Sequence, residues 1–278
     1  MSALATYSRE RGIGRIGLRS PANGNAIGRV LANDLKCAVE SCLVDRGVRV
    51  ILVEADGRNF CVGGDITAFD APVDERRTSI RQITSDFHAA MELMLSSDRP
   101  VITAVQGTAA GAGMSLAVAG DIVIAAEDAR FVPAFTAIGL SADGGTTWLL
   151  PRLIGVRRSA ELLLTNRHLD ARQAETWGLV SEVCARATLT QQAEELASRL
   201  ATGPGAAFGT IKRLLRESSQ MAFAEQVAAE AEAITAHALG PDGEEGIAAF
   251  QAKRRPNFTR SADRHGHLHD QVRPRNTR

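Results

Sequence analysis

The run Arg99-Pro-Val-Ile-Thr-Ala-Val-Gln-Gly107, Thr108-Ala-Ala-Gly-Ala-Gly113, Met114-Ser-Leu-Ala-Val-Ala-Gly120, Asp121-Ile-Val-Ile-Ala-Ala126 decides how this chain folds. Val101 to Val105 is uncharged and largely β-branched, as a buried strand is. Residues 108–113 carry almost no side chain and read as a turn. Met114 to Gly120 reads as a helix of small residues, and Ile122 to Ala126 as a second buried strand. Strand, turn, helix and strand make one βαβ unit of a parallel sheet. Gly111, Ala112 and Gly113 open the predicted helix, where backbone N–H groups are unpaired at the positive end of the helix dipole. An anion or a developing oxyanion could approach them closely. Tight packing of helix on sheet would need the same small residues.

Outward from that unit, the pattern stays α/β to about residue 200. Ile13, Ile16 and Leu18 with their glycines suggest an N-terminal hairpin. Val30, Leu31, Leu35, Val39 and Cys42 recur at helical spacing, and Val48 to Val53 is a buried strand. Ile80, Ile83, Phe87, Met91 and Leu95 mark a longer helix that ends before Pro100. Thr146 to Leu153 begins another, interrupted at Pro151 and closed by Gly155. Gly178 to Val183 is a late strand. Beyond Leu189 only helices are predicted, with Gly203-Pro-Gly205 and Gly240-Pro241 between them. The domains read as an α/β core over 1–200, a helical subdomain over 201–255, and a basic, flexible tail over 256–278.

The 278 residues carry a formal net charge of zero, which gives no field to attract nucleic acid or a membrane surface. The four cysteines form neither a disulfide framework nor a metal-ligand spacing. No apolar run is long enough to span a bilayer, and the N-terminus shows no charged-then-apolar leader, so a cytoplasmic protein is expected. His265, His267 and His269 alternate in the tail, where they read as solvated side chains rather than metal ligands.

Several stretches together resemble the crotonase (enoyl-CoA hydratase/isomerase) superfamily. They are Pro21 to Ala26, Phe60-Cys-Val-Gly-Gly-Asp-Ile66, Arg99 through Gly113, Gly120 to Ala126, Gly139 through Leu153, Ala174 to Val180, and Phe250 to Pro256. The resemblance implies a superhelix of repeated ββα turns with a C-terminal helical trimerisation subdomain, assembled as a homo-trimer or hexamer. It implies an acyl-CoA thioester as substrate and no cofactor, since coenzyme A is part of that substrate. By position, the N–H groups of Gly64 and Ala112 would hold the thioester oxygen, with Gly63 and Gly111 as their small neighbours. Asp65, Ile66 and Thr67 would lie along the coenzyme A, with help from Ala22. Lys253 would reach its phosphates, or is one more solvated cation.

The same resemblance bears on the reaction. Hydratases of the family use two glutamates, whose positions fall on Ser115 and Phe135. The carboxylate available is Asp143, in Ile138-Gly-Leu-Ser-Ala-Asp-Gly-Gly145, which resembles the single-aspartate members that shift double bonds. Asp143 would then be the acid/base, buried beside Phe135, Leu140 and Trp148. Two alternatives stay open. Dehalogenases of the family use an aspartate of this loop as nucleophile with a histidine on the preceding helix, where His88 stands. A non-catalytic acyl-CoA-binding member is the other.

Overall fold

A computed structural model describes residues 3–258. The expectations for residues 259–278, including His265, His267 and His269, lie outside them. The chain divides after Ala201 into two compact units.

The first unit opens with the hairpin of β1 (Ala5–Glu10) and β2 (Ile13–Leu18), followed by α1 (Arg29–Val44) and β3 (Val50–Ala55). Next come α2 (Val73–Ser96), β4 (Val101–Val105), β5 (Thr108–Ala110) and α3 (Ala112–Ala117). The chain continues through β6 (Ile122–Ala126), β7 (Arg130–Val132), α4 (Thr146–Thr165), β8 (Leu169–Asp170), α5 (Ala171–Trp177), β9 (Glu182–Cys184) and α6 (Leu189–Ala201). The larger sheet has the order β1-β2-β3-β4-β6-β9 and the smaller β5-β7-β8. From β2 to β9 every pairing in the larger sheet is parallel.

The connection rule is a repeated β–β–α turn. β3, the bridge at Cys61 and α2 form one; β4, β5 and α3 the next; β6, β7 and α4 the third. Each turn places its first strand in the larger sheet. The second extended segment lies in the smaller sheet or, at Cys61, bridges to Ala109 at its edge. Alternation along the strands covers both faces of the larger sheet. Ile51, Val53, Val101, Val105 and Val123 face a core shared with Leu31, Leu35 and Val39 of α1 and Phe87, Ala90, Met91 and Met94 of α2. Val50, Leu52, Ile102, Ala104 and Ile124 face the other way, onto Ala193, Ala197 and Ala201 of α6.

Several sequence expectations change in detail. The run 108–113 is not wholly a turn, because Thr108–Ala110 pairs in parallel with β7. α4 is not interrupted at Pro151, which the helix contains. It breaks at Gly155, whose φ of 78° and ψ of 156° are non-helical, and a second helical stretch continues to Thr165. The positive φ there suits glycine.

The second unit holds α7 (Gly205–Glu217), α8 (Phe223–Ala238) and α9 (Pro241–Gln251). His237 of α8 meets the Thr210 hydroxyl of α7 at 2.8 Å. Leu215, Phe223, Ile234, Leu239 and Phe250 leave large apolar side chains exposed on this unit.

The cysteines separate cleanly by environment. Cys42, Cys61 and Cys184 are buried, whereas Cys37 is exposed on α1. Burial pushes the Cys42 thiol up to about 11 and the Cys61 thiol up to about 12, and raises Cys184 as well. The thiolate is the reactive form. A chromogenic disulfide reagent at neutral pH is therefore expected to titrate one thiol in the native chain and all four in denaturant. Rapid reaction of a second native thiol would contradict this burial pattern.

Candidate active site

Asn25 builds the first wall of the site. It is fully buried at φ 57°. Its amide nitrogen lies 3.0–3.1 Å from the carbonyl oxygens of Asp56, Asn59 and Phe60. Its side-chain oxygen accepts from the Ser20 N–H at 2.8 Å. The loop after β3 is thereby held against the turn at Pro21–Asn23 and delivers Gly63 and Gly64. Ile27 then forms a parallel bridge with Gly64. In that pattern the bonds go to the flanking residues. Ile27 N–H donates to Gly63 O at 2.7 Å, and Asp65 N–H donates to Ile27 O at 3.1 Å. The N–H and carbonyl of Gly64 itself are turned away from Ile27.

Ala112 is the first residue of α3, so its N–H has no partner within the helix. The N–H before it, on Gly111, is taken by Val132 O at 2.9 Å. Among the described residues neither Gly64 N–H nor Ala112 N–H meets a backbone acceptor. Their two segments touch. A Cβ on Gly63 would lie 2.8 Å from Ala110 O, and one on Gly111 would lie 3.9 Å from Gly63 Cα. Only glycine-like backbone permits that approach.

Gly64 and Ala112 both line a cavity of about 510 Å³. α2 supplies Ile80, Ile83, Thr84 and Phe87 to its wall, and the loop before α4 supplies Ile138, Leu140, Ser141 and Asp143. Phe135 lines it too, its ring behind Gly111. Asp143 is the one ionisable side chain among the lining residues described.

Asp143 is not buried as expected. Its side chain is 36% exposed; of the predicted cover Phe135 is buried, whereas Leu140 at 41% and Trp148 at 37% are open. The partner of the carboxylate is instead His88, whose Nε2 lies 2.6 Å from Asp143 Oδ1. His88 stands on α2 one residue after Phe87. Residue 86, one before it, is a buried aspartate that receives Lys36 at 2.9 Å and Gln82 at 2.7 Å. The Gln82 hydrogen bond, with Lys36, holds the Asp86 carboxyl below the usual carboxylate range. That contact ties α2 to α1 and so fixes where His88 and Phe87 point.

The remaining predicted residues divide. Ile66 lines the cavity. Asp65 caps the short helical turn Ile66–Phe69, accepting from Thr67 N–H at 3.0 Å and from the Thr67 hydroxyl at 2.7 Å. Ala22 is exposed in the turn at Pro21–Asn23, and Lys253 follows α9 in the second unit at φ 52°. Ser115, at the first glutamate position, is fully buried. Sequence reasoning missed Asn25 and Thr146 as individual positions. Asn25 lay inside a family-like stretch, but nothing local signalled its three carbonyl contacts. The described residues contain no cluster of three side chains suited to a metal and no helix long and apolar enough to cross a membrane.

Stacked β–β–α turns of this kind, with backbone donors and a lone carboxylate at one cavity, make a crotonase-fold protein. The chain belongs to the enoyl-CoA hydratase/isomerase family of enzymes, whose sequence model matches residues 8–261. It is 35% identical over 254 residues to 1,2-epoxyphenylacetyl-CoA isomerase of Escherichia coli K12, covering 90% of this chain and 96% of that protein. It is 29% identical over 243 residues to 4-chlorobenzoyl coenzyme A dehalogenase-2 of an Arthrobacter species, covering 87% and 88%. Among solved structures, an enoyl-CoA hydratase from Polaromonas sp. JS666 superposes with a TM-score of 0.86 at 31% identity, covering 91% of this chain and 98% of that one.

Proposed function

We propose that this chain shifts a carbon–carbon double bond in an acyl-CoA thioester, of the 3-enoyl to 2-enoyl type. The N–H groups of Gly64 and Ala112 hold the thioester oxygen. Asp143 takes a proton from C2, and the resulting dienolate is stabilised at that oxygen. Asp143 then returns the proton to C4. One positioned carboxylate is enough, because the proton leaves and rejoins the same acyl chain. A donor aimed at a developing oxyanion is typically worth about 10²–10³ in rate.

The observation that carries this reading is that Asp143 is the one ionisable side chain among the lining residues described of an apolar cavity that also holds Gly64 and Ala112. Hydration of the double bond by the two-glutamate route finds no support at Ser115 or Phe135. The apolar lining also favours an uncharged acyl group, since a terminal carboxylate would lose its water without gaining a cation. The exposed apolar side chains of the second unit support assembly into a homo-trimer or hexamer.

A second reading is kept by the 2.6 Å contact between His88 and Asp143. It makes Asp143 a nucleophile and the reaction a hydrolysis or dehalogenation, as in the name of the Arthrobacter relative. Mass spectrometry of a small acyl-CoA panel separates the two. The expected result is isomerised 3-enoyl-CoA of unchanged mass, with ω-carboxylated substrates turned over poorly. Release of free coenzyme A or halide, with an acyl or aryl adduct on Asp143, would overturn the isomerase reading. Tight binding with no product would leave a binding protein.

A further inference from the structure

Two buried hydroxyls lie where the halves of the candidate site meet. Ser115 and Thr146 are both fully buried, and neither lines the cavity. Their Oγ and Oγ1 atoms are in hydrogen-bond contact. Thr146 Oγ1 lies 2.6 Å from the carbonyl oxygen of Asp143. Ser115 Oγ lies 3.0 Å from that same oxygen and 3.3 Å from the carbonyl oxygen of Gly111.

Proton counting shows what the pair does. Two hydroxyls bring two protons. At 2.6 Å, Thr146 donates to the Asp143 carbonyl. Ser115 then donates to Thr146, to Asp143 or to Gly111. A buried helical serine ordinarily bonds back to the carbonyl four residues earlier, as Ser115 does with Gly111. Reaching a carbonyl 28 residues later is not part of that habit. Gly144 closes the seat. A Cβ there would lie 2.7 Å from the Phe87 ring and 3.0 Å from Ser115 Cβ, so the loop rests directly on the serine. Ser115 belongs to the same short helix that begins at Ala112.

We propose that Ser115 and Thr146 are positioning residues, which set the distance and direction between the oxyanion donor at Ala112 and the carboxylate of Asp143. The proposal rests on the double-bond shift assigned above. Neither hydroxyl touches substrate. Both act through the Asp143 backbone carbonyl, so neither competes with His88 or the substrate for the carboxylate.

The test compares Ser115→Ala, Thr146→Val, the double variant and Thr146→Ser, with isomerisation of a 3-enoyl-CoA and affinity for a saturated acyl-CoA as readouts. Thr146→Val is expected to lower kcat by about 10–10²-fold, because a 1 Å misplacement of reacting groups can cost about 10². Affinity for the saturated ligand, counted per folded site, stays at the wild-type value. Thr146→Ser restores kcat, and the double variant loses less than the product of the single losses because both hydroxyls act on one carbonyl. A merely structural role would lower the melting temperature and the number of binding sites but not kcat per site. Wild-type kcat in Thr146→Val, or equal losses of kcat and affinity, overturns the proposal. Absence of any double-bond shift in the wild-type protein overturns the reaction itself, and the proposal with it.

Discussion

Asp143→Asn is expected to lower kcat for double-bond isomerisation by about 10²–10⁴-fold, the usual contribution of a positioned acid/base group. The amide cannot take a proton from C2. It keeps the shape of the carboxylate, so the cavity wall is preserved. The loop should also hold its place, because Thr146 and Ser115 contact the backbone carbonyl of residue 143 rather than its side chain. The affinity of an unreactive acyl-CoA should therefore change little. Steady-state kinetics and calorimetric titration read the two quantities separately. Turnover of Asp143→Asn at the wild-type rate would remove Asp143 from the chemistry. A fall in affinity matching the fall in kcat would point to a binding role instead.

Gly113→Ala is the substitution with the largest expected effect on the scaffold. A Cβ at 113 would stand 2.2 Å from Cys61 O and 2.7 Å from Cys61 Sγ. Cys61 cannot retreat easily. Its carbonyl accepts from Ala110 N–H at 2.9 Å, its N–H donates to Thr108 O at 3.1 Å, and its thiol donates to Asn25 O at 3.0 Å. Relief must come from lifting α3, which carries Ala112 away from Gly64. Overpacking of this kind costs about 1–3 kcal/mol, and each kcal/mol lowers the melting temperature of a unit this size by about 2–4 °C. Displacing one oxyanion donor should cost a further factor of about 10²–10³ in kcat. Gly64→Ala is the control for the melting temperature alone, since its Cβ meets nothing within 4 Å although Gly64 itself lines the cavity. A Gly113→Ala variant that melts and turns over like the wild type would show that α3 is not held where it is described.

The parallel strands around the Gly/Ala run were legible because β4 and β6 are buried on both faces and so read as continuous apolar runs. The run itself left packing and ligand approach both open, and the structure divides them residue by residue. A Cβ on Gly113 would strike Cys61, whereas Gly111 and Ala112 line the cavity. β5 escaped because Thr-Ala-Ala has no side-chain period to detect. The first half of α2 escaped because it is mostly exposed and shows little apolar repeat. α5 carried a readable start, the capping box between Asp170 and Gln173. The pairing of His88 with Asp143 spans 55 residues, so no local pattern encodes it; the family resemblance alone put the two in one reading, that of the dehalogenases. The openness of Asp143 was hidden for a related reason. Neighbours in sequence such as Leu140 and Trp148 do not cover a loop that turns through left-handed Gly139, Gly144 and Gly145.

Asp86, Phe87 and His88 follow one another on α2, and successive helical residues point about 100° apart. The first is locked to Lys36 of α1, the second walls the cavity, and the third meets Asp143. Rolling this helix by even one position would unseat all three contacts together. The Phe87 end of the wall is therefore held on both sides, whereas Ile80, Ile83 and Thr84 line the cavity from the more exposed first half of α2. Ile138 and Leu140, half in solvent, line the same cavity from the segment before α4. Larger acyl groups are expected to be accommodated at these half-exposed residues before the anchored Phe87 end of α2 gives way.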